Sequence, residues 1–156
     1  MIIEVRQGDI FKALEAGEFN VLAHGANCLN TMGAGIARLV STKCPAMYEA
    51  DRLASRYGTN TPGWFSYANI GEEILGVNLY TQLMPGPNAR LSYIRFSVGA
   101  LVDFLGSDDG KEALKGKPPV IGIPKIGCGI GGLVWEDVKE VIEEASGGIP
   151  VIVYEL

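Results

Sequence analysis

Two glycine-rich segments carry the residues whose types and spacing could do chemistry. The first runs from His24 through Asn27 and Thr31 to Gly33 and Gly35, where a helical pattern begins. The start of a helix offers unpaired backbone N–H groups and a partial positive charge, and both attract phosphate. Glycine lets a ligand approach the backbone without a Cβ in the way. The segment therefore predicts a phosphate-binding turn, although a tight turn from strand to helix would explain the same glycines.

The second segment covers residues 124–132 and again lies between a buried strand and a helix. It contains Gly127, Gly129, Gly131 and Gly132. A dinucleotide fingerprint of the Rossmann type would follow the first strand, with an acidic residue about 20 positions later. Here the glycines lie near the C-terminus, which excludes that fold. Two such segments at the ends of two strands predict a cleft that closes on a diphosphate from both sides.

His24 is the one histidine of the chain, and it follows a run of apolar, strand-forming residues. In open α/β sheets, ligands bind at the carboxyl ends of the strands. An imidazole titrates near neutral pH, so His24 could serve as general base, general acid or nucleophile on a phosphomonoester. The alternative is a neutral histidine whose ring is satisfied by a backbone carbonyl at the end of the strand.

Other polar residues near the two segments also have two interpretations. Asn27 could contact a ligand or cap its own turn, and Asp9 could contact a ligand or N-cap a short helix that begins at Ile10. Cys28 and Cys128 have no titratable partner nearby in the sequence, which argues against a nucleophilic role for either thiol.

The elements that must position these residues alternate between apolar strands and amphipathic helices, a pattern typical of a layered α/β domain. The chain shows no internal repeat and no linker, so residues 1–156 are expected to form one domain. A turn at residues 71–73 predicts a hairpin, and residues 106–119 predict a polar connection with one helical turn. The expected strands cover residues 2–5, 64–70, 74–81, 120–124 and 151–154, and a further strand is centred on residues 21–23. The expected helices cover residues 10–16, 35–44, 46–57, 91–105 and 135–146.

The composition narrows the class of protein. Of 156 residues, 47% are hydrophobic and the formal net charge is -5, so the chain is neither disordered nor suited to gripping a nucleic-acid backbone. No apolar run approaches the roughly 20 residues that span a bilayer, and no signal peptide is recognisable. Three scattered cysteines predict a reduced, cytoplasmic protein without a disulfide framework or a zinc site. The 21 glycines are about twice the usual share of ~7%.

Taken in order, the motifs resemble those of the macro domain family, and the resemblance extends over essentially the whole chain. Within the family, the chain is most similar to the branch of the yeast-type ADP-ribose 1''-phosphate phosphatase and the deacylating ADP-ribosyl-glutamate hydrolases. The matching stretches are Gly8-Asp9-Ile10, His24-Gly25-Ala26-Asn27-Cys28, Met32-Gly33-Ala34-Gly35-Ile36-Ala37, Pro124-x-Ile126-Gly127-Cys128-Gly129-Ile130 with Trp135, and Val153-Tyr154-x-Leu156.

The resemblance implies a three-layer α/β/α fold with a mixed, mostly parallel sheet, and a cleft for an ADP-ribose derivative. It places Asp9 and Tyr154 near the adenine, Asn27 at the distal ribose, and the amides of both glycine segments at the diphosphate. We expect a monomer that needs neither metal nor cofactor. The implied ligand contacts are Gly8, Asp9, Ile10, Ala26, Asn27, Thr31, Met32, Gly33, Ala34, Gly35, Ile36, Pro124, Ile126, Gly127, Cys128, Gly129, Ile130, Gly131 and Tyr154.

The sequence departs from the family pattern in two places. The deacylating hydrolases carry an essential acidic residue where this chain has Gly131, and their catalytic lysine has no counterpart in residues 78–82. These departures argue against hydrolysis of a glutamate linkage.

The leading hypothesis is a metal-independent phosphatase, with His24 and Asn27 catalytic, acting on ADP-ribose 1''-phosphate, a by-product of tRNA splicing. The alternatives are a reader module that binds ADP-ribose without turnover, and an ADP-ribosyl hydrolase that acts on a protein or nucleic-acid linkage.

Overall fold

The structure, a computed structural model, describes residues 1–155. Strands and helices alternate along most of the chain. The strands are β1 (Ile2–Gln7), β2 (Val21–Ala26), β3 (Phe65–Gly71), β4 (Ile74–Tyr80), β5 (Ile121–Pro124) and β6 (Val151–Glu155). The helices are α1 (Ile10–Glu15), α2 (Gly35–Lys43), α3 (Pro45–Tyr57), α4 (Leu91–Gly106), α5 (Asp108–Ala113) and α6 (Trp135–Ala145).

All six strands form one sheet in the order β1-β6-β5-β2-β4-β3. β3 pairs with β4 in an antiparallel hairpin, and every other pairing is parallel. The expected mixed, mostly parallel sheet is thus confirmed. The carboxyl ends of β6, β5, β2 and β4 meet along one edge, and this edge carries both glycine-rich segments.

The sheet is covered on both faces, which confirms the three-layer arrangement. Val21 and Ala23 pack with α4 and α6 on one face, while Leu22 packs with α1, α2 and α3 on the other. This alternation follows from the strand period of two, which sends successive side chains to opposite faces. His24 follows Leu22 by two positions and therefore points toward the layer of α2 and α3.

Most predicted boundaries agree with the structure, because proline and glycine mark them. Pro45 lies in the first turn of α3, and Gly58 ends that helix with a φ of 72°. Residues 106–119, where one helical turn is expected, contain the six-residue helix α5. The hydroxyl of Ser107 caps this helix by accepting a hydrogen bond of 3.2 Å from the Gly110 amide. Within residues 1–155, no helix combines the length and the apolar character that crossing a bilayer requires.

Candidate functional site

A cavity of about 570 Å³ opens at the carboxyl edge of the sheet. Its walls come from the two glycine-rich segments, the end of β6 and the residues that follow β4. Most of the predicted contacts lie on its wall: Ala26, Asn27, Thr31, Met32, Gly33, Ala34, Gly35, Ile36, Pro124, Ile126, Gly127, Gly129, Ile130, Gly131 and Tyr154.

Four of the predicted ligand contacts lie off this wall. Gly8 donates its amide to the Glu155 carbonyl, and Ile10 is 1% exposed in the core. The Asp9 carboxylate accepts a hydrogen bond of 2.8 Å from the Phe11 amide, which makes it the N-cap of α1. The Cys128 thiol is directed at the carbonyl of its own loop, 3.3 Å away. Of the two interpretations of Asp9, the structure contains the helix cap.

The first loop (residues 27–34) ends at a helix start that has no side-chain cap. Ala34 occupies the N-cap of α2, where a hydroxyl or carboxylate would normally accept an amide hydrogen bond. Within residues 1–155, the amides of Gly35, Ile36 and Ala37 have no acceptor, and all three residues line the cavity. Unpaired amides at the positive end of a helix suit a phosphate group.

Local hydrogen bonds hold the first loop in shape. The Asn27 side-chain amide donates to the Thr31 hydroxyl over 2.7 Å, and its oxygen accepts from the Leu29 amide over 2.8 Å. Asn30 and Met32 adopt positive φ values of 58° and 39°, which side chains other than glycine rarely take. Asn27 thus faces the cavity while it also caps its own turn.

The second loop (residues 125–134) supplies a further set of free amides. Gly127 has a φ of 73°, a conformation that favours glycine, and its carbonyl accepts from the Leu133 amide over 2.8 Å. Among the described residues, the amides of Cys128, Gly129 and Ile130 find no acceptor. Gly129 and Ile130 line the cavity, so their amides are available to a ligand on the side opposite the first loop.

Gly131 is closed to any side chain. A Cβ at this position would lie 2.7 Å from the Gly127 carbonyl oxygen and 2.8 Å from the Ala89 Cβ. An acidic residue therefore cannot stand here unless the second loop and residue 89 move apart. The departure from the acid of the glutamate hydrolases is thus built into the packing of this loop.

The segment after β4 contributes a wall that the sequence analysis missed. Thr81, Gln82, Pro85 and Gly86 line the cavity. The Gln82 side-chain amide donates to the carbonyls of Met84 and Gly86, at 2.7 and 3.1 Å, and so orders this segment. The signal that could have found it is the Pro85-Gly86-Pro87 sequence, which begins five residues after the end of the buried strand β4.

Asp51 is the second feature that the sequence analysis missed. Its side chain lines the cavity yet is 1% exposed, and it projects from α3. One carboxylate oxygen accepts from the Tyr80 hydroxyl at 2.7 Å and the other from the Asn30 amide at 3.0 Å. Burial raises the pKa of Asp51, while these two hydrogen bonds act in the opposite direction. In the sequence, its position on the buried stripe with Met47 and Ala54 was the available signal.

The opposite end of the cavity lies at β6. The Tyr154 hydroxyl donates to Glu18 over 2.9 Å, and burial raises the pKa of Tyr154 to about 12. Lys125 forms an ion pair of 2.8 Å with Glu155 and lies 5.2 Å from the centre of the Trp135 ring. This end therefore offers an aromatic ring and a neutralised cation.

His24 does not reach the cavity wall, contrary to the expectation for a catalytic imidazole. β2 continues two residues beyond it, so the ring lies inside the layer under α3 and is 0% exposed. Its Nε2 lies 2.7 Å from the Asn78 side-chain oxygen, and among residues 1–155 its Nδ1 has no partner. Burial lowers the pKa of His24 to about 4, so the ring is neutral at pH 7 and donates from Nε2. In this position the imidazole cannot touch a ligand in the cavity.

A buried chain of hydrogen bonds connects His24 with Asp51. The Asn78 amide donates to the Ser66 hydroxyl over 3.0 Å, and the oxygen atoms of Ser66 and Tyr80 are 2.9 Å apart. The Tyr80 hydroxyl donates its one hydrogen to Asp51, so Ser66 must donate to Tyr80. All donors in the chain consequently point toward the Asp51 carboxylate.

Comparison with known proteins gives several relatives of similar length. No family model matches the chain. A phage T4 protein, described as an uncharacterized 17.5 kDa protein in the tk-vs intergenic region, is 30% identical over 99% of this chain and 97% of its own. The ADP-ribose 1''-phosphate phosphatase of Saccharomyces cerevisiae is 28% identical over 87% of this chain and 89% of its own.

A DNA ADP-ribosyl glycohydrolase of Mycobacterium tuberculosis is 26% identical over 96% of this chain, which spans 40% of that protein. Among solved structures, the macrodomain of Thermus aquaticus DarG superimposes with a TM-score of 0.79 at 26% identity, over 100% of this chain and 99% of that one. The macrodomain of Mycobacterium tuberculosis DarG gives a TM-score of 0.80 at 24% identity, over 100% and 98% of the two chains.

Proposed function

The chain belongs to the macro domain family, and from this premise we propose that its cleft binds ADP-ribose and hydrolyses a bond at the distal ribose. The observation that carries the proposal is the pair of free amide sets, at the start of α2 and in the second loop, on the wall of one cavity. Dipoles of this kind neutralise a diphosphate without a cluster of cations.

The topology supports an orientation of the ligand across the strand ends. β6, β5, β2 and β4 are neighbours, and strands lie about 4.8 Å apart, so the ends of β6 and β4 are roughly 14 Å from each other. The aromatic Tyr154 end suits the adenine, and the end with Asn27, Thr31 and Asp51 suits the distal ribose. The diphosphate then lies between them, against both loops.

Removal of a terminal phosphate from ADP-ribose 1''-phosphate is the first candidate reaction. The name and coverage of the yeast relative support it. Since His24 is buried away from the cavity, the reaction would rely on water positioned by Asn27 and on loop amides that stabilise the charge at phosphorus.

Hydrolysis of an ADP-ribosyl linkage to a larger molecule is the second candidate. The mycobacterial glycohydrolase supports it by name, although this chain spans 40% of that protein. The closed position of Gly131 argues against the glutamate-directed form of this chemistry.

The decisive experiment measures ADP-ribose binding by calorimetry, then turnover of ADP-ribose 1''-phosphate and of ADP-ribosylated DNA in EDTA. A Gly129→Val variant should abolish binding, because residue 129 lines the cavity and has open space beside it. Gly148→Val is the matched control, since Gly148 also has open space but lies outside the cavity. Wild-type binding without turnover of either substrate would indicate a reader module, and unchanged binding by Gly129→Val would contradict the proposed cleft.

A further inference from the structure

We propose that Asp51 determines which group the ribose end of the cleft accepts, by disfavouring a terminal phosphomonoester and favouring an uncharged group bonded to the ribose. The inference rests on the proposed function, because it assumes that ADP-ribose lies with its distal ribose at this end. It also separates the two candidate reactions, since one substrate carries a phosphate at that position and the other carries a larger molecule.

The Asp51 carboxylate has a fixed position at one end of the cavity. Asp51 lines the cavity together with Asn27, Thr31 and Gln82, at the end opposite Tyr154. Its carboxylate is fixed between the Tyr80 hydroxyl and the Asn30 amide, so it cannot swing out toward solvent without losing both hydrogen bonds.

The charges around Asp51 do not balance its carboxylate. Among the described residues that line the cavity, Lys125 is the one cation, and it is paired with Glu155 at the β6 end. The titratable groups that face Asp51 are the hydroxyl of Tyr80 and the thiol of Cys28. Burial raises the pKa of Tyr80, and it raises that of Cys28 to about 11, so both are uncharged at neutral pH. Within residues 1–155, the cavity wall has no positive side chain at the ribose end to offset the carboxylate.

Burial raises the pKa of Asp51, but the hydrogen-bond partners of the carboxylate oppose this rise. Both groups bonded to it act as donors, and the chain from His24 through Asn78, Ser66 and Tyr80 is polarised toward it. Aligned donors favour the ionised form of a carboxylate. A second anion placed beside it in this half-enclosed space is repelled more strongly than it would be in water.

An uncharged group meets no such repulsion. Because Asp51 is 1% exposed, the carboxylate discriminates between the two groups through its charge and not through a direct contact. The matching substrate class is ADP-ribose whose 1'' carbon carries a hydroxyl or a neutral O- or N-linked group. Hydrolysis of such a linkage adds water across the bond: the hydroxyl goes to the 1'' carbon and the proton goes to the departing group.

Calorimetry with ADP-ribose and with ADP-ribose 1''-phosphate tests this role. We expect the wild-type protein to bind ADP-ribose at least about tenfold more tightly than the 1''-phosphate. Asp51→Asn keeps the size and removes the charge, and it should reduce that ratio roughly fivefold or more, mainly by improving binding of the 1''-phosphate. Glu49→Gln is the matched control, because it removes a carboxylate from the exposed face of the same helix, and it should leave the ratio unchanged.

Equal or tighter wild-type binding of the 1''-phosphate, or efficient release of its phosphate, would overturn the role of Asp51 and leave the proposed function standing. This arm does not need a variant, so it decides the matter even where Asp51→Asn fails to fold. A folded Asp51→Asn protein with the wild-type ratio would overturn the role as well. Absence of ADP-ribose binding by the wild-type protein would instead refute the proposed function, and the inference with it.

Discussion

The Tyr80 hydroxyl donates a hydrogen bond of 2.7 Å to the Asp51 carboxylate, and this contact joins the central sheet to α3 beneath the cleft. Both side chains are at most 1% exposed, so neither group can exchange its partner for water. The contact also ends the buried chain that begins at His24. A polar network of this kind is costly to interrupt, because each member depends on its neighbours for a partner.

Tyr80→Phe should lower the free energy of unfolding by about 1–3 kcal/mol, because it removes the donor to one oxygen of Asp51 and the acceptor of the Ser66 hydroxyl hydrogen. Chemical denaturation followed by circular dichroism measures the change. Tyr57→Phe removes a hydroxyl from a side chain that is 71% exposed, and it should alter stability by less than about 0.5 kcal/mol. Equal effects of the two variants would contradict the buried contact.

Acidification should destabilise the protein through His24. Its pKa is about 4 in the folded state and 6.5 as a free side chain, so the unfolded chain binds a proton first as pH falls. Stability from this residue is therefore complete above pH 6.5 and declines down to about pH 4, by roughly 3 kcal/mol in total.

Denaturation curves between pH 7.5 and pH 4.5 test this expectation against His24→Gln, which cannot gain the proton. The wild-type protein should lose stability relative to the variant as pH falls, because only the wild type carries His24. The carboxylates titrate in both proteins, so their effect cancels in the difference between the two unfolding free energies. Parallel pH profiles would show that the ring of His24 is accessible to a proton in the folded state.

Restoring an acid at residue 131 should damage the second loop and supply no chemistry. Gly131→Asp brings a side chain against the Gly127 carbonyl and Ala89, at a cost of about 1–3 kcal/mol. Thermal unfolding and ADP-ribose calorimetry should both show a loss. Gly148→Asp introduces the same charge where no atom lies within 4 Å, and it should preserve both properties. A stable Gly131→Asp protein that binds ADP-ribose would mean that the loop opens easily.

The sequence predicted those parts of the site whose conformation depends on residues close by in the chain. Gly127 and Gly35 occupy positive φ positions, and their spacing before helical patterns places them at the cleft without knowledge of the fold. Asp51 and Gln82 reach the same cavity only because α3 and β4 pack beside β2, which no local pattern reveals. The prediction that His24 lies at the end of β2 is wrong, because the strand extends two residues beyond His24, to Ala26. The apolar residues of the sequence mark only the centre of this strand.

Variants of Asn30 can separate two features of the first loop, namely the left-handed backbone at residue 30 and the hydrogen bond from its side chain to Asp51. Its φ of 58° suits glycine, while its side-chain amide donates to Asp51. Asn30→Gly and Asn30→Ala both remove the donor, so both should weaken ADP-ribose binding by loosening residues 27–34. Alanine must also adopt the left-handed conformation, so Asn30→Ala should be less stable than Asn30→Gly by about 1 kcal/mol. Calorimetry and chemical denaturation provide the two readouts. Equal stability of the two variants would contradict the left-handed conformation at residue 30, and wild-type ADP-ribose binding by both would contradict the anchoring of the first loop by Asp51.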